Sequence, residues 1–153
     1  MKPYNLDHLF SFEAGLNPDF EVIGPTPEGL RVNIYITGGK VNGPKLNGHL
    51  RPVGADWLTI RPDVVGILDV RTTIETDDGA LIYASYQGVG DLGEDGYQRF
   101  IDGNPPTKFA LQCVPRFLTA HPDYLWLNRL QCLNIGEADL TVPSASYDVY
   151  AVR

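Results

Sequence analysis

Long apolar runs are missing from this 153-residue chain. A membrane-spanning helix needs about 20 predominantly apolar residues, so none is expected. The opening residues, MKPYNLDHLF, hold no apolar core of signal-peptide length, and a soluble, cytoplasmic protein is expected. Positive charge is also scarce. Twelve Lys and Arg stand against nineteen Asp and Glu, a net charge of -7, and the basic residues are scattered. Binding to a phosphate backbone needs a basic stripe, so neither nucleic acid nor an anionic membrane is an expected partner.

Reactive motifs are absent too. Cys113 and Cys132 are the only cysteines and have no CxxC spacing. They read as two buried thiols in a reducing compartment. His8, His49 and His121 lie far apart with no HxH or HExxH pattern, so no metal site is expected. Gly38-Gly39 followed by Gly43 is not a P-loop. Gly88-Val89-Gly90 lacks the third glycine and the helix of a dinucleotide fingerprint, and no GxSxG elbow exists. No cofactor is expected.

Helical periodicity is the last absence. What replaces it is alternation, cut at short intervals by sixteen glycines and twelve prolines. In Ile67–Tyr86, Leu68, Val70, Thr72 and Ile74 share one face and Asp69, Arg71, Thr73 and Glu75 the other. Asp77-Asp78-Gly79 supplies a tight turn, and Tyr83 and Ser85 share a face of the returning strand, opposite Ile82 and Ala84. Strands are also expected at His8–Ala14, Leu30–Thr37, Trp57–Arg61, Lys108–Phe117 and Ser144–Val152. Lys40–Leu50 reads as a bent or bulged strand, and Tyr124–Ile135 as a long buried one. Gly88–Pro106 is long for a connection, with a short helix at Tyr97–Ile101. It reads as a surface loop or a lid. The chain is long enough for one domain, residues 1–153, with a sizeable core. The expected architecture is all-β: a single antiparallel barrel of about ten strands, with at most one short helix.

The polar chemistry concentrates in a few positions. Asp56 lies beside Trp57; Asp69, Arg71 and Glu75 share a strand face; Tyr83 is on the neighbouring strand; Trp126 and Asn128 share a face of the Tyr124–Ile135 run. If these faces turn inward, the lumen holds carboxylates, a guanidinium, a phenol and an amide. A carboxyl desolvated there gains the raised pKa that general acid–base work needs. If they turn outward, Arg71 and its acids form a solvated ladder and Leu68, Val70 and Ile74 make the core. Both readings stand on the sequence alone. The inward reading assigns catalysis to Asp56, Glu75 and Arg71, and substrate binding to Trp57, Tyr83, Trp126 and Asn128.

GGKVNGPKLNGHLRPVGADW (Gly38–Trp57), TDDGALIY (Thr76–Tyr83), PRF (Pro115–Phe117) with YLWLN (Tyr124–Asn128), and YDVYAV (Tyr147–Val152) occur in this order. Together they resemble the domain-of-unknown-function 3237 family of small bacterial and fungal proteins. The resemblance implies a calycin-like β-barrel, but no agreed activity, cofactor or substrate. It places emphasis on Asp56, Trp57, Arg71, Thr76 to Gly79 with Tyr83, and Trp126 with Asn128. This chain departs from the pattern at Ala110–Val114, where the family often has an aromatic pair and an arginine, and at Leu118, where it often has Glu. The function expected first is cofactor-independent acid/base chemistry on a small oxygenated molecule: isomerisation, cyclisation, dehydration or hydrolysis. A non-catalytic ligand-binding barrel follows closely, then a structural, oligomer-forming one. The expected partner is a small-molecule ligand or substrate, and a homo-oligomer is compatible with any of the three.

Overall fold

Strands whose alternate residues are apolar bury one face, and a sheet that curls until its edges meet buries that face against itself. The computed structural model, which describes residues 1–153, does this with ten strands. They are β1 (Leu6–Leu16), β2 (Glu21–Thr26), β3 (Gly29–Asn42), β4 (Gly48–Leu50), β5 (Ala55–Ile60), β6 (Val65–Thr76), β7 (Leu81–Asp91), β8 (Lys108–Leu118), β9 (Cys132–Asp139) and β10 (Ser144–Val152). All pairings are antiparallel. The hydrogen-bonded circuit runs β1-β10-β9-β8-β7-β6, continues through β4 and β5 to β3, and returns to β1. β4 and β5 share one lane between β3 and β6, which makes eight lanes from nine strands. β2 bonds only to β3. No helix is long and apolar enough to cross a membrane.

The expected all-β barrel is therefore present, and several local expectations need correction. Gly38-Gly39 does not end a strand. β3 passes through the pair to Asn42 and changes partners there, from β2 and β5 to β1 and β4. Glu21–Thr26, a segment not expected to be a strand, forms β2. Its Pro25 is tolerated because that strand is an edge. The larger correction is Tyr124–Ile135. Pro122–Arg129 is a 3₁₀ helix, started by Pro122 in its first turn and by the His121 ring, which accepts from the Asp123 N–H at 3.3 Å. Only from Cys132 does the chain become a strand. Local capping chemistry overrides the apolar pattern there.

Two connections close the barrel ends. α1 (Gly96–Ile101) joins β7 to β8 at one end, and the 3₁₀ helix joins β8 to β9 at the other. Phe100 of α1 is 2 % exposed and stacks on Phe20 at 6.4 Å; Leu127 of the 3₁₀ helix is equally buried. The Gly88–Pro106 segment is thus neither a free loop nor decoration, because it seals one end. Between the ends lies a core of aliphatic and aromatic side chains, with Phe10 edge-on to Phe117 at 5.5 Å. Each such buried side chain stabilises the fold by about 1.5–3 kcal/mol.

Candidate functional site

Strand parity decides which polar residues reach the lumen. In β6, Leu68, Val70, Thr72, Ile74 and Thr76 are buried and face inward. Asp69, Arg71, Thr73 and Glu75 therefore face out. The apolar side of an alternating strand takes the core, and the outward reading of this face holds. Arg71 lies over the Trp57 ring, 5.1 Å from its centroid, and donates to both Asp69 oxygens at 3.2 Å. Glu75 meets His49 at 3.5 Å and Arg51 at 3.9 Å on the outer surface. Tyr83 is 44 % exposed on the outside of β7. Trp126 and Asn128 lie on the 3₁₀ helix. Asn128 ties down the chain after β8, accepting from the Thr119 N–H at 2.8 Å and donating to the Thr119 carbonyl at 2.9 Å. The Trp126 indole donates to the Asp123 carbonyl at 3.1 Å. In the hairpin turn, Asp78 accepts from Thr76 and from the Tyr124 hydroxyl, which holds its carboxyl below the usual range.

These residues do not converge. Of the seven singled out from the sequence, only Asp56 enters the lumen. Arg71 is expected to be nearly neutral for the fold: Arg71→Ala should cost no more than about 1 kcal/mol in a urea titration, since the pair it loses is half exposed.

Asp56 is aimed inward by its neighbours. It pairs across β5 with Ile34 of β3 and Val70 of β6, both inward residues. Beyond this pair the β5–β6 ladder breaks and resumes at Thr59 opposite Ile67. The Asp69 N–H, left without a strand partner at the break, donates to Asp56 Oδ1 at 2.9 Å. One carboxylate oxygen thus mends the wall while the side chain borders a cavity of about 40 Å³. That is room for roughly three water molecules at ~10–15 Å³ each. Fifteen of the sixteen residues around it are hydrophobic; Asp56 is the exception. Burial in this enclosure pushes the Asp56 carboxyl up from 3.8 to about 7; the Asp69 charge adds to the rise, while the Asp69 N–H and Arg31 oppose it.

Two phenols that sequence reasoning passed over, Tyr86 and Tyr147, border the same cavity. Their rings lie 5.5 Å apart at a steep angle, and Phe12 packs against both at 6.3 and 5.0 Å. Burial, reinforced by Cys113 and Asp56, holds both phenols well above their usual range. The Cys113 thiol reaches the Tyr147 hydroxyl at 3.9 Å and is pushed by burial to about 12. Both cysteines are free and buried. Among these groups Asp56 is the one whose protonation changes near neutral pH. The signal for Tyr86 was available: it shares the inward parity of Ile82 and Ala84. Attention to Tyr83 picked the wrong face.

The outer surface offers less. A concavity of about 530 Å³ lies across β1, β3, β9 and β10, bordered by Ser11, Lys40 and Asp148. Ser11 donates its proton to Asp148 and sits 2.9 Å from His8 Nε2. That order sends the serine proton to the carboxylate and not to an imidazole base, so it does not activate a nucleophile. No group of three or more His, Cys, Asp or Glu side chains is arranged to hold a metal ion.

Comparison with known proteins agrees with the barrel fold. Residues 4–152 match the model of a family described as a protein of unknown function, DUF3237. A relative from Rhodopseudomonas palustris, named a UPF0311 protein, is 34% identical over 147 residues, covering 95% of this chain and 94% of its own. Among solved structures, a β-barrel-like protein from Acinetobacter baumannii superposes with a TM-score of 0.85 at 30% identity, over 100% of this chain and 98% of its own. A protein from Penicillium herquei described as an enzyme shares the fold, with a TM-score of 0.70 at 21% identity and coverage of 100% and 97%.

Proposed function

The chain belongs to the DUF3237 family, and on that premise we propose that its barrel lumen binds a small, uncharged organic molecule and that Asp56 moves a proton on it. One observation carries the reading: a single carboxyl, lifted to about 7, borders an otherwise hydrophobic cavity beside two phenols. A base is most useful when its pKa is near the working pH, and a dry surrounding strengthens each hydrogen bond made to developing charge. As carboxylate, Asp56 takes a proton from an acidic C–H or O–H; as acid, it returns the proton to another position. Tyr86 and Tyr147, kept neutral, donate to an oxygen that gains negative charge. Isomerisation, cyclisation and dehydration all follow from this set without a further group.

The cavity is small, so a ligand enters by displacing side chains at one end. Phe100 of α1 lines the cavity there, and the path we favour passes beneath it. The second reading is a barrel that holds a ligand unchanged, favoured by the same hydrophobic lining.

A test that needs no natural substrate is wash-in of solvent deuterium into cyclopentanone, followed by mass spectrometry. The protein is expected to accelerate exchange, with a rate that rises through pH 7 as Asp56 ionises. Asp56→Asn should lower that acceleration by about 10²-fold or more. Full exchange in the variant would sink the assignment, and saturable binding without exchange would favour the second reading.

A further inference from the structure

The barrel interior contains a polar side chain that acid–base work by Asp56 does not use and that, unlike the inward Thr72 and Thr76, has no partner. Asn134 of β9 is 0 % exposed, and neither its Nδ2 nor its Oδ1 has a hydrogen-bond partner. Its position follows from register. Phe10, Val149, Asn134, Cys113, Gly88 and Leu68 lie opposite one another on successive strands, a row of inward positions around the barrel. Tyr147 lies opposite Gly136 of β9, one inward position nearer to α1. Asn134 is therefore the next inward position below Tyr147, and Tyr86, opposite Val70, lies one inward position farther from α1 than Gly88 of the Asn134 row.

The only polar side chain that row offers it is the Cys113 thiol opposite, a weak partner that already faces the Tyr147 hydroxyl. Val149 and Phe10 are hydrocarbon, and Gly88 contributes no side chain: a Cβ there would stand 2.5 Å from Cys113 Sγ. The backbone groups of this row are engaged in the ladders. A buried amide without partners is destabilising, whereas leucine has nearly the same shape and no polar atoms to desolvate. Between Asn134 and the cavity stands the Tyr147 ring, packed against Gly136, where a Cβ would stand 2.7 Å from its Cδ1; a 3.9 Å thiol contact is a weak tether for its hydroxyl.

We propose that Asn134 is a specificity-determining residue of the lumen, giving a donor and an acceptor side by side to the inner edge of the ligand. The matching chemistry is a neutral group that presents an acceptor and a donor in the same way, such as an amide or lactam. This deepens the lumen-binding reading and rests on it. The ligand spans two polar points, the Asp56 carboxyl with its phenols and the Asn134 carboxamide.

The test compares 2-pyrrolidinone with cyclopentanone, a ring of the same size without the N–H, by NMR titration of the full chain. The unaltered protein is expected to bind 2-pyrrolidinone at least about tenfold more tightly, because a site built for a polar edge rejects the analogue that leaves it unpaired. The Asn134 side-chain amide resonances should move with 2-pyrrolidinone. In Asn134→Leu the preference should fall to about one, while Tm rises by about 5 °C as the unpaired amide is removed. A preference that survives in Asn134→Leu overturns the inference, as it would if a trapped water met the amide. Saturable binding of neither probe overturns it too. Asp56→Asn separates the two readings. Loss of preference in Asn134→Leu but not in Asp56→Asn supports a recognition role for Asn134 whatever becomes of proton transfer. Loss in Asp56→Asn alone overturns that role and leaves proton transfer to its own test.

Discussion

Asp56→Asn is expected to be more stable than the unaltered protein at pH 8 and about equal to it at pH 4, in urea unfolding followed at both pH values. The folded carboxyl titrates at about 7, against 3.8 when exposed. Below pH 4 both states hold the proton and Asp56 costs nothing. Between pH 4 and 7 the folded state binds more protons than the unfolded one, so stability falls as pH rises. Above 7 both are ionised and the loss is complete. The gap between 3.8 and about 7, at ~1.4 kcal/mol per pH unit, amounts to about 4 kcal/mol. Asparagine keeps the acceptor for the Asp69 N–H, so the wall of the barrel is unchanged. The exposed acids Asp63 and Asp78 and the half-buried Asp139 are held below their usual range and act in the opposite sense. The difference between the two proteins cancels them. Equal stability at pH 8 would show that Asp56 is not desolvated, and would remove the basis for a base near neutral pH.

Gly54→Ala is expected to lose several kcal/mol, at least about 3, or to fail to fold. Gly54 has a φ of +93°, and a Cβ there would stand 1.9 Å from the Arg71 carbonyl oxygen. Strain at positive φ costs about 1 kcal/mol alone, and a backbone clash inside a strand pair adds more. The damage is local to the site. The Gly54 carbonyl accepts from the Ile36 N–H at 3.1 Å, and the preceding Val53 carbonyl accepts from Thr72 Oγ1 at 2.9 Å. Together these contacts set the register in which Asp56 faces Val70. Gly79→Ala is the control. Its φ is +89°, but nothing lies within 4 Å of the added carbon. It should cost only about 1 kcal/mol. Thermal unfolding of the two variants side by side separates clash from strain; equal losses would contradict the tight β5–β6 approach.

Much of the barrel was legible because alternation is a backbone property. Leu68, Val70 and Ile74 name one face of β6, and the core has to take it. The same rule already bore on the site. In Ala55–Ile60, Asp56 shares parity with Leu58 and Ile60, so its inward aim could be read, whereas Arg71 and Glu75 share parity with Asp69 and should have been placed outside. Their charge drew attention that their parity did not support. Tyr147 was visible opposite Phe12 only once β1 and β10 were known to pair, a contact across more than a hundred residues that no local pattern encodes. Asn134 was missed for a different reason. A strand that begins at Tyr124 makes Asn128 the amide in mid-strand, whose donors and acceptor would need partners. The signals that deny a strand there are the Pro at the first helical turn and the histidine cap before it. With the strand begun at Cys132, the same argument selects Asn134.

The barrel is closed by its two extremities. β1 pairs with β10, and Asn5 and Arg153 exchange backbone hydrogen bonds at 2.9 Å in both directions. During synthesis, then, the wall stays open until the last strand has left the ribosome. The central hairpin of β6 and β7 can form early from neighbouring residues, but Tyr147, a wall of the cavity, arrives only with β10. The long loop closed by this pairing places the molecule among slow folders with high contact order. The pocket is accordingly completed only when β10 is made, and until then the edge of β1 that faces away from β3 stays unpaired.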